Sequence, residues 1–345
     1  MRERLNKVFK AWSVLVQDWL KYEISRDSLR YLRIRNRMEK LSVGPISNSY
    51  ACLWPYTSRL KVVEEWPFIG NYLLRRVIRD NEFELANNRE RSRTTDISII
   101  IGHRGLDRIE LLLTTLKSLA AQRDVSIECI VVEQDSIIRI QSFLPEWVRY
   151  IFQKTDGGKG NYNRSAAFNL GARSAQGGVL LLHDNDMIVP TSYCYDILKL
   201  IKEGYQALNT KRFVFYLSAE DTNRVQTSLD SINSSVPLYI VQNLEAGGSM
   251  AITKEAYFDI GGMDEDFVGW GGEDNEFWRR CSHLKRWIWG FTPIIHLWHE
   301  SQPLKRNTKN ENIERARSLE DVTIQQRIRI LRERNNFIAE KNGLE

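Results

Sequence analysis

Residues 178–186 read GVLLLHDND: a glycine, a run of apolar residues, then His183 and two aspartates one residue apart. A short apolar run bounded by a turn reads as a strand buried on both faces. Asp184 and Asp186 stand at its end, where an extended segment would send residues i and i+2 to the same side. Two convergent carboxylates repel unless a cation lies near them. Oxygen donors suit Mg²⁺ or Mn²⁺, while solvated acids at a strand-end turn remain the alternative.

The same grammar repeats upstream. DISIIIGH at 96–103, SIECIVVEQDS at 126–136 and VRYIFQK at 148–154 read as strands, and RIELLLTTLKSLAAQ at 108–122 reads as a helix. A glycine turn, DGGKGN, leads into a helix at YNRSAAFNLGARSAQ, residues 162–176. Alternating strands and helices predict an α/β fold, a mostly parallel sheet with helices on both faces. Ligands bind such sheets beyond the carboxyl ends of the strands. His103 and Arg104, the Glu133–Asp135 corner, and Asp184–Asp186 all fall there.

The bulk numbers bound the class. The chain has 345 residues, 42% hydrophobic and 27% charged, with a formal net charge of +5. That describes a globular protein with a sizeable core. The mild positive balance lacks the dense basic face of a nucleic-acid binder and suits phosphates or an anionic membrane surface. Cys52, Cys129, Cys194 and Cys281 show no CxxC spacing and read as buried free thiols of a reducing compartment. No apolar run reaches the roughly 20 residues of a spanning helix, so the expected location is cytoplasmic. Residues 1 to about 90 read as helical, with Leu5, Val8, Phe9, Trp12, Leu15, Val16 and Trp19 on one face. That face either packs on the main domain or lies on lipid as a peripheral contact at the inner face of a cell membrane.

Three further motifs carry chemistry. HLWHE at 296–300 offers His296 and His299 after an apolar strand, and imidazole is a common transition-metal ligand. Arg164 opens a helix, where a guanidinium and the helix N-terminus both favour anions. FVGWGGEDNEFWRR at 267–280 sets Trp270 and Gly271 beside a glycine turn and then Glu273, Asp274 and Glu276. Glycines admit close approach of a ligand. The acids also suit the first turn of a helix.

In the order GHRGLDRIELL, NRSAAFNLG, LLLHDNDMIVP, GGSMAITKEAYFDIGGMDEDFVGWGGEDNEFWRR and HLWHE, the chain resembles the β-1,4-galactosyltransferases and the bacterial chondroitin-polymerase-type glycosyltransferases over roughly residues 96–302. The resemblance implies a glycosyltransferase A fold, a UDP-sugar donor, Mn²⁺ (or Mg²⁺) and inversion at the anomeric carbon. Residue by residue it implies Asp186, His299 and His296 as metal ligands, with His296 standing where those galactosyltransferases carry a methionine. It implies Arg104, Arg164, Asp184, Trp270 and Gly271 around the donor, and Asp274 as catalytic base; Glu133 and Asp135, by their place at a strand end, and Glu273, beside Asp274, are further expected donor-site residues. The uridine end departs from the family, with GHRGLDR in place of PFRNR. The expected layout is a helical extension over 1–95, a catalytic domain over 96–302 (nucleotide half 96–187, acceptor half 188–302) and C-terminal helices over 303–345. The expected partners are the UDP-sugar and a glycan or lipid-linked acceptor in surface polysaccharide synthesis, with no nucleic acid and an open oligomeric state. A nucleotidyltransferase and a non-catalytic carbohydrate-binding scaffold on the same fold are the competing readings.

Overall fold

The computed structural model describes residues 41–47, 49–52, 57–156, 162–301 and 311–334. The Leu5–Trp19 stripe and most of the DGGKGN turn lie outside these residues. The strands are β1 (Leu41–Val43), β2 (Tyr50–Cys52), β3 (Ser58–Arg59), β4 (Ile97–His103), β5 (Ile127–Asp135), β6 (Val148–Lys154), β7 (Val179–His183), β8 (Met187–Ile188), β9 (Ala207–Tyr216), β10 (Tyr239–Gln242), β11 (Ser249–Thr253) and β12 (Arg286–His296). The α-helices are α1 (Lys61–Glu65), α2 (Pro67–Asp80), α3 (Ile109–Ala120), α4 (Arg164–Ser174), α5 (Tyr193–Lys202), α6 (Ala219–Thr227), α7 (Lys254–Asp259), α8 (Glu273–Arg280), α9 (Glu311–Ser318) and α10 (Ile324–Arg334).

The main sheet runs β3-β10-β9-β11-β7-β4-β5-β6, with β12 alongside β9 and β8. It is parallel through β7-β4-β5-β6 and between β9 and β12, and antiparallel at β11 and β10. The expected α/β sheet flanked by helices is therefore present, and it is consistent with the glycosyltransferase A arrangement. Period-two alternation sends the residues of β4 to two faces, and both are buried. Ile97, Ile99 and Ile101 enter one core with α2, α3 and α5, while Ile100 enters a second core with α4, α7 and α8. Asn163 caps α4, its side-chain oxygen accepting from the Ala166 amide at 2.9 Å.

The sequence reading fails over 41–59. Leu41–Val43, Tyr50–Cys52 and Ser58–Arg59 form strands rather than helix, and Arg59 pairs with Val241 of β10 at one end of the main sheet. Ile46, Leu60, Val62, Val63, Leu73, Leu74 and Val77 belong to the same apolar core as β4, β5 and β9. The described part of the presumed extension is thus joined to the catalytic body by packing and by strand pairing. All four cysteines are buried and free, as read from the sequence. Among the described residues no helix is long and apolar enough to cross a membrane.

Candidate active site

Two clusters assemble at the carboxyl edge of the sheet. The first is built by β7, β8 and β12. After His183 the chain leaves the strand and turns, so Asp184 and Asp186 do not continue as an extended pair. The turn is pinned by Asn185, whose side chain meets His103 Nδ1 at 2.7 Å, and by the Asp184 amide, which donates to Gly248 O at 2.7 Å. Buried His103, pushed down to about 4 by burial, is neutral and acts as an anchor. Asp186 immediately precedes β8, and Met187 of β8 pairs with His296 of β12. The register thereby carries His296 to Asp186, and Leu297 fixes it by donating its amide to Asp186 O at 2.8 Å.

Asp186 Oδ1 lies 3.6 Å from His296 Nε2, and Oδ2 lies 3.2 Å from His299 Nε2. One ligand atom from each of these three residues falls within 4.8 Å of the others. Asp186 Oδ1 is buried and makes no hydrogen bond. A carboxylate and two imidazoles with one unspent buried oxygen fit a divalent transition ion. His299 Nδ1 lies 2.8 Å from Glu300 O. Were Nδ1 to carry the proton and donate to that carbonyl, Nε2 would be free to hold an ion. Burial would raise Asp186, but His296, His299 and Arg108 outweigh it and hold the carboxyl well below the usual carboxylate range.

The second cluster gathers on Arg164 at the start of α4. Its guanidinium donates to Asp184 Oδ1 and to Asp274 Oδ1, each at 2.5 Å, and stands 3.6 Å from Glu273. Glu273 and Asp274 reach it because α8 begins at Glu273. Three glycines with positive φ, Gly269 at 84°, Gly271 at 102° and Gly272 at 91°, turn the chain into that helix. Gly247 completes the fit: a Cβ there would stand 2.6 Å from Asp274 Oδ2. Burial pushes Glu273 up to about 7, and the Asp274 charge adds to this against Arg164. Burial likewise raises Asp184 to about 6, with Arg164 opposing and Asp186 and Asp274 adding.

The remaining expected residues divide. Trp270 sits half-buried in the glycine turn, its carbonyl accepting from Asn312 Nδ2 at 3.3 Å. Arg104 lies just past β4, half-buried. Asp135 ends β5 and takes Arg139 Nε at 2.8 Å and the Ser136 amide at 2.7 Å. Glu133 departs from its expected role at the donor. Its fully buried carboxylate accepts from Tyr150 Oη at 2.5 Å and from the amides of Arg139 and Ile140, which holds the loop after β5. Glu276 also turns away from the pocket, pairing with Arg280 Nη2 at 2.7 Å and Arg327 Nε at 2.9 Å.

Two basic residues escaped the sequence reading. Arg108 stands 3.7 Å from Asp186 Oδ2 and 3.0 Å from His299 Nδ1. Lys211 is fully buried behind the acids, donating to Ser249 O at 2.7 Å, and burial pushes it down to about 7. Arg108 had one available signal, its position at the N-cap of a helix where a cation opposes the dipole.

Residues 99–258 match the family described as glycosyl transferase family 2, and residues 233–294 match the N-terminal domain of galactosyltransferase. Among curated proteins, the chain is 25% identical to an Escherichia coli chondroitin synthase over 50% of this chain and 30% of that protein. It is 24% identical to the Bos taurus β-1,4-galactosyltransferase 3 over 68% of this chain and 46% of that protein. The chain thus spans less than half the length of these relatives. Among solved structures, S. aureus TarS 1–349 in complex with UDP-GlcNAc aligns at 15% identity with a TM-score of 0.47, covering 71% of this chain and 73% of that one. By these matches, residues 99–258 are similar to glycosyl transferase family 2, and the overlapping residues 233–294 to a galactosyltransferase domain.

Proposed function

We propose that the chain is a metal-dependent, inverting glycosyltransferase. It moves a hexose or N-acetylhexosamine from a UDP-sugar to a hydroxyl of a glycan or lipid-linked acceptor, in the making of a surface polysaccharide. The observation that carries this reading is the meeting, at one sheet edge, of the Asp186–His296–His299 triad with the acids Asp184, Glu273 and Asp274 around Arg164. The kinship with chondroitin synthase and galactosyltransferase supports it.

When bound, a divalent ion would supply Lewis-acid stabilisation of the departing diphosphate. The chain's own residues do the rest. Asp274 is 22% exposed at its side chain, more open than Glu273 at 9%. It takes the proton of the acceptor hydroxyl. The acceptor oxygen then bonds to the anomeric carbon from the face opposite the leaving group. The bond from that carbon to the diphosphate oxygen breaks, and its electron pair leaves with UDP. Arg164 holds Asp274 by a direct hydrogen bond and supplies positive charge beside the departing phosphates. Glu273, a carboxyl poised near neutrality, accepts a hydrogen bond from a donor-sugar hydroxyl. Trp270 offers a flat apolar face to a sugar ring and excludes water.

The test is UDP release from a panel of UDP-sugars with Mn²⁺, Mg²⁺ or EDTA, in parent and in Asp274→Asn. One donor should release UDP only with metal. The variant should lose about 10²- to 10⁴-fold in turnover while still binding UDP. Full-rate transfer by the variant rejects Asp274 as the base. Release that ignores EDTA rejects the metal. Binding of UDP without turnover of any donor, with any acceptor, would favour the scaffold reading.

A further inference from the structure

One row of side chains crosses the sheet from the metal triad to the N-terminal strand. His296 of β12 stands opposite Tyr216 of β9, and Tyr216 stands opposite Tyr239 of β10. Residues directly opposite on adjacent strands share a face and touch. The His296 and Tyr216 rings stack at 4.3 Å and 26°, and the Tyr216 and Tyr239 rings stack at 4.4 Å and 22°. The guanidinium of Arg59, on β3, closes the row 4.0 Å above the Tyr239 ring. At the other end, the His296 ring lies 5.3 Å from His299, with Nε2 toward Asp186.

An imidazole binds a metal only along its ring plane. Its χ2 torsion is broad, so an unsupported ring sweeps its nitrogen through a wide arc. A ring stacked on its flat face keeps its edge free and its plane fixed. We propose that Tyr216 is a positioning residue for His296, with Tyr239 and Arg59 behind it, and that this ladder aims Nε2 at a divalent ion held with Asp186 and His299. The inference rests on the metal reading above. It gives the short strand β3, outside the family-matched residues, a part in the active site.

The test is binding of Mn²⁺ alone to the full chain, by calorimetry and by the electron paramagnetic resonance of free and bound ion, without donor. Asp186→Asn should abolish binding and serves as the control. Tyr216→Leu should weaken binding about 10-fold, the scale on which supports of a ligand act. Tyr216→Phe, which keeps the stack, should bind within about 2-fold of the parent because the aromatic face, not the hydroxyl, is at work. Parent-like affinity in Tyr216→Leu, alongside loss in Asp186→Asn, overturns the ladder and spares the metal site. Equal weakening in the Leu and Phe variants also overturns it. A parent that binds no Mn²⁺ removes both. Should Tyr216→Leu melt early, Tyr239→Leu at a half-buried position is read instead, and unchanged affinity there counts against the ladder.

Discussion

Glu273 and Asp274 are neighbours in one helical turn with opposite surroundings. Asp274 meets Arg164 directly, while Glu273 Oε2 is buried and makes no hydrogen bond. Burial first, then the Asp274 charge, lifts Glu273 to about 7. An acid raised in the folded state favours its protonated form there. Its contribution to stability is full below about pH 4.5, the ordinary carboxyl value, and is lost as pH rises through about 7. In EDTA, the parent should therefore melt lower at pH 8 than at pH 5, and Glu273→Gln should shrink that difference by a few degrees. Equal differences would place the Glu273 carboxyl in water. At this scale the sequence singled out acids and histidines that the structure gathers at one edge, because a carboxylate after an apolar strand has few structural reasons to be there. It misplaced Glu133, since strand-end position cannot tell a carboxylate facing ligand from one holding its own loop. Arg108 offered only its N-cap position, because its partner His299 lies 191 residues away.

Among the elements, the glycine turn before α8 is held from outside the matched family domain. Asn312 of α9 donates to Val268 O at 2.9 Å and to Trp270 O. Asp264, fully buried at its side chain, collects Arg315 at 3.1 Å, Arg334 at 2.9 Å and Arg327. Arg327 passes on to Glu276, which holds Arg280. Removing one charge from such a buried network strands its partners, a loss of about 3–5 kcal/mol. Asp264→Asn should lower the unfolding free energy by that order in denaturant titration. A change under about 1 kcal/mol would mean water already shares the network. The two C-terminal helices were legible in the charged apolar-striped sequence, but this docking was not, since arginines on a helix read equally as a solvated face. Strands β4, β5 and β7 were legible because burial on both faces leaves continuous apolar runs. Strands β1 to β3 are two or three residues long, too short for any period to register.

Across the molecule, one apolar core runs from Ile46 to Leu297 without a break at residue 95. A chain starting at residue 96 would lose Leu60, Val62, Val63, Leu73, Leu74 and Val77 from that core and expose the edge of β10. It should lose cooperative unfolding and aggregate, which circular dichroism melts and size-exclusion chromatography would read. A soluble, sharply melting fragment would restore the separate-extension reading.

The pairing of β3 with β10 also sets a clock. Arg59 meets Val241, so a strand made early waits for one made 182 residues later (241 − 59). At synthesis rates of about 5–20 residues per second, that is roughly 10–40 s. Throughout it, α1 and α2 carry their apolar faces with no sheet to cover them. The segment that closes the sheet is thus the part of this chain most in need of a chaperone as it emerges from the ribosome.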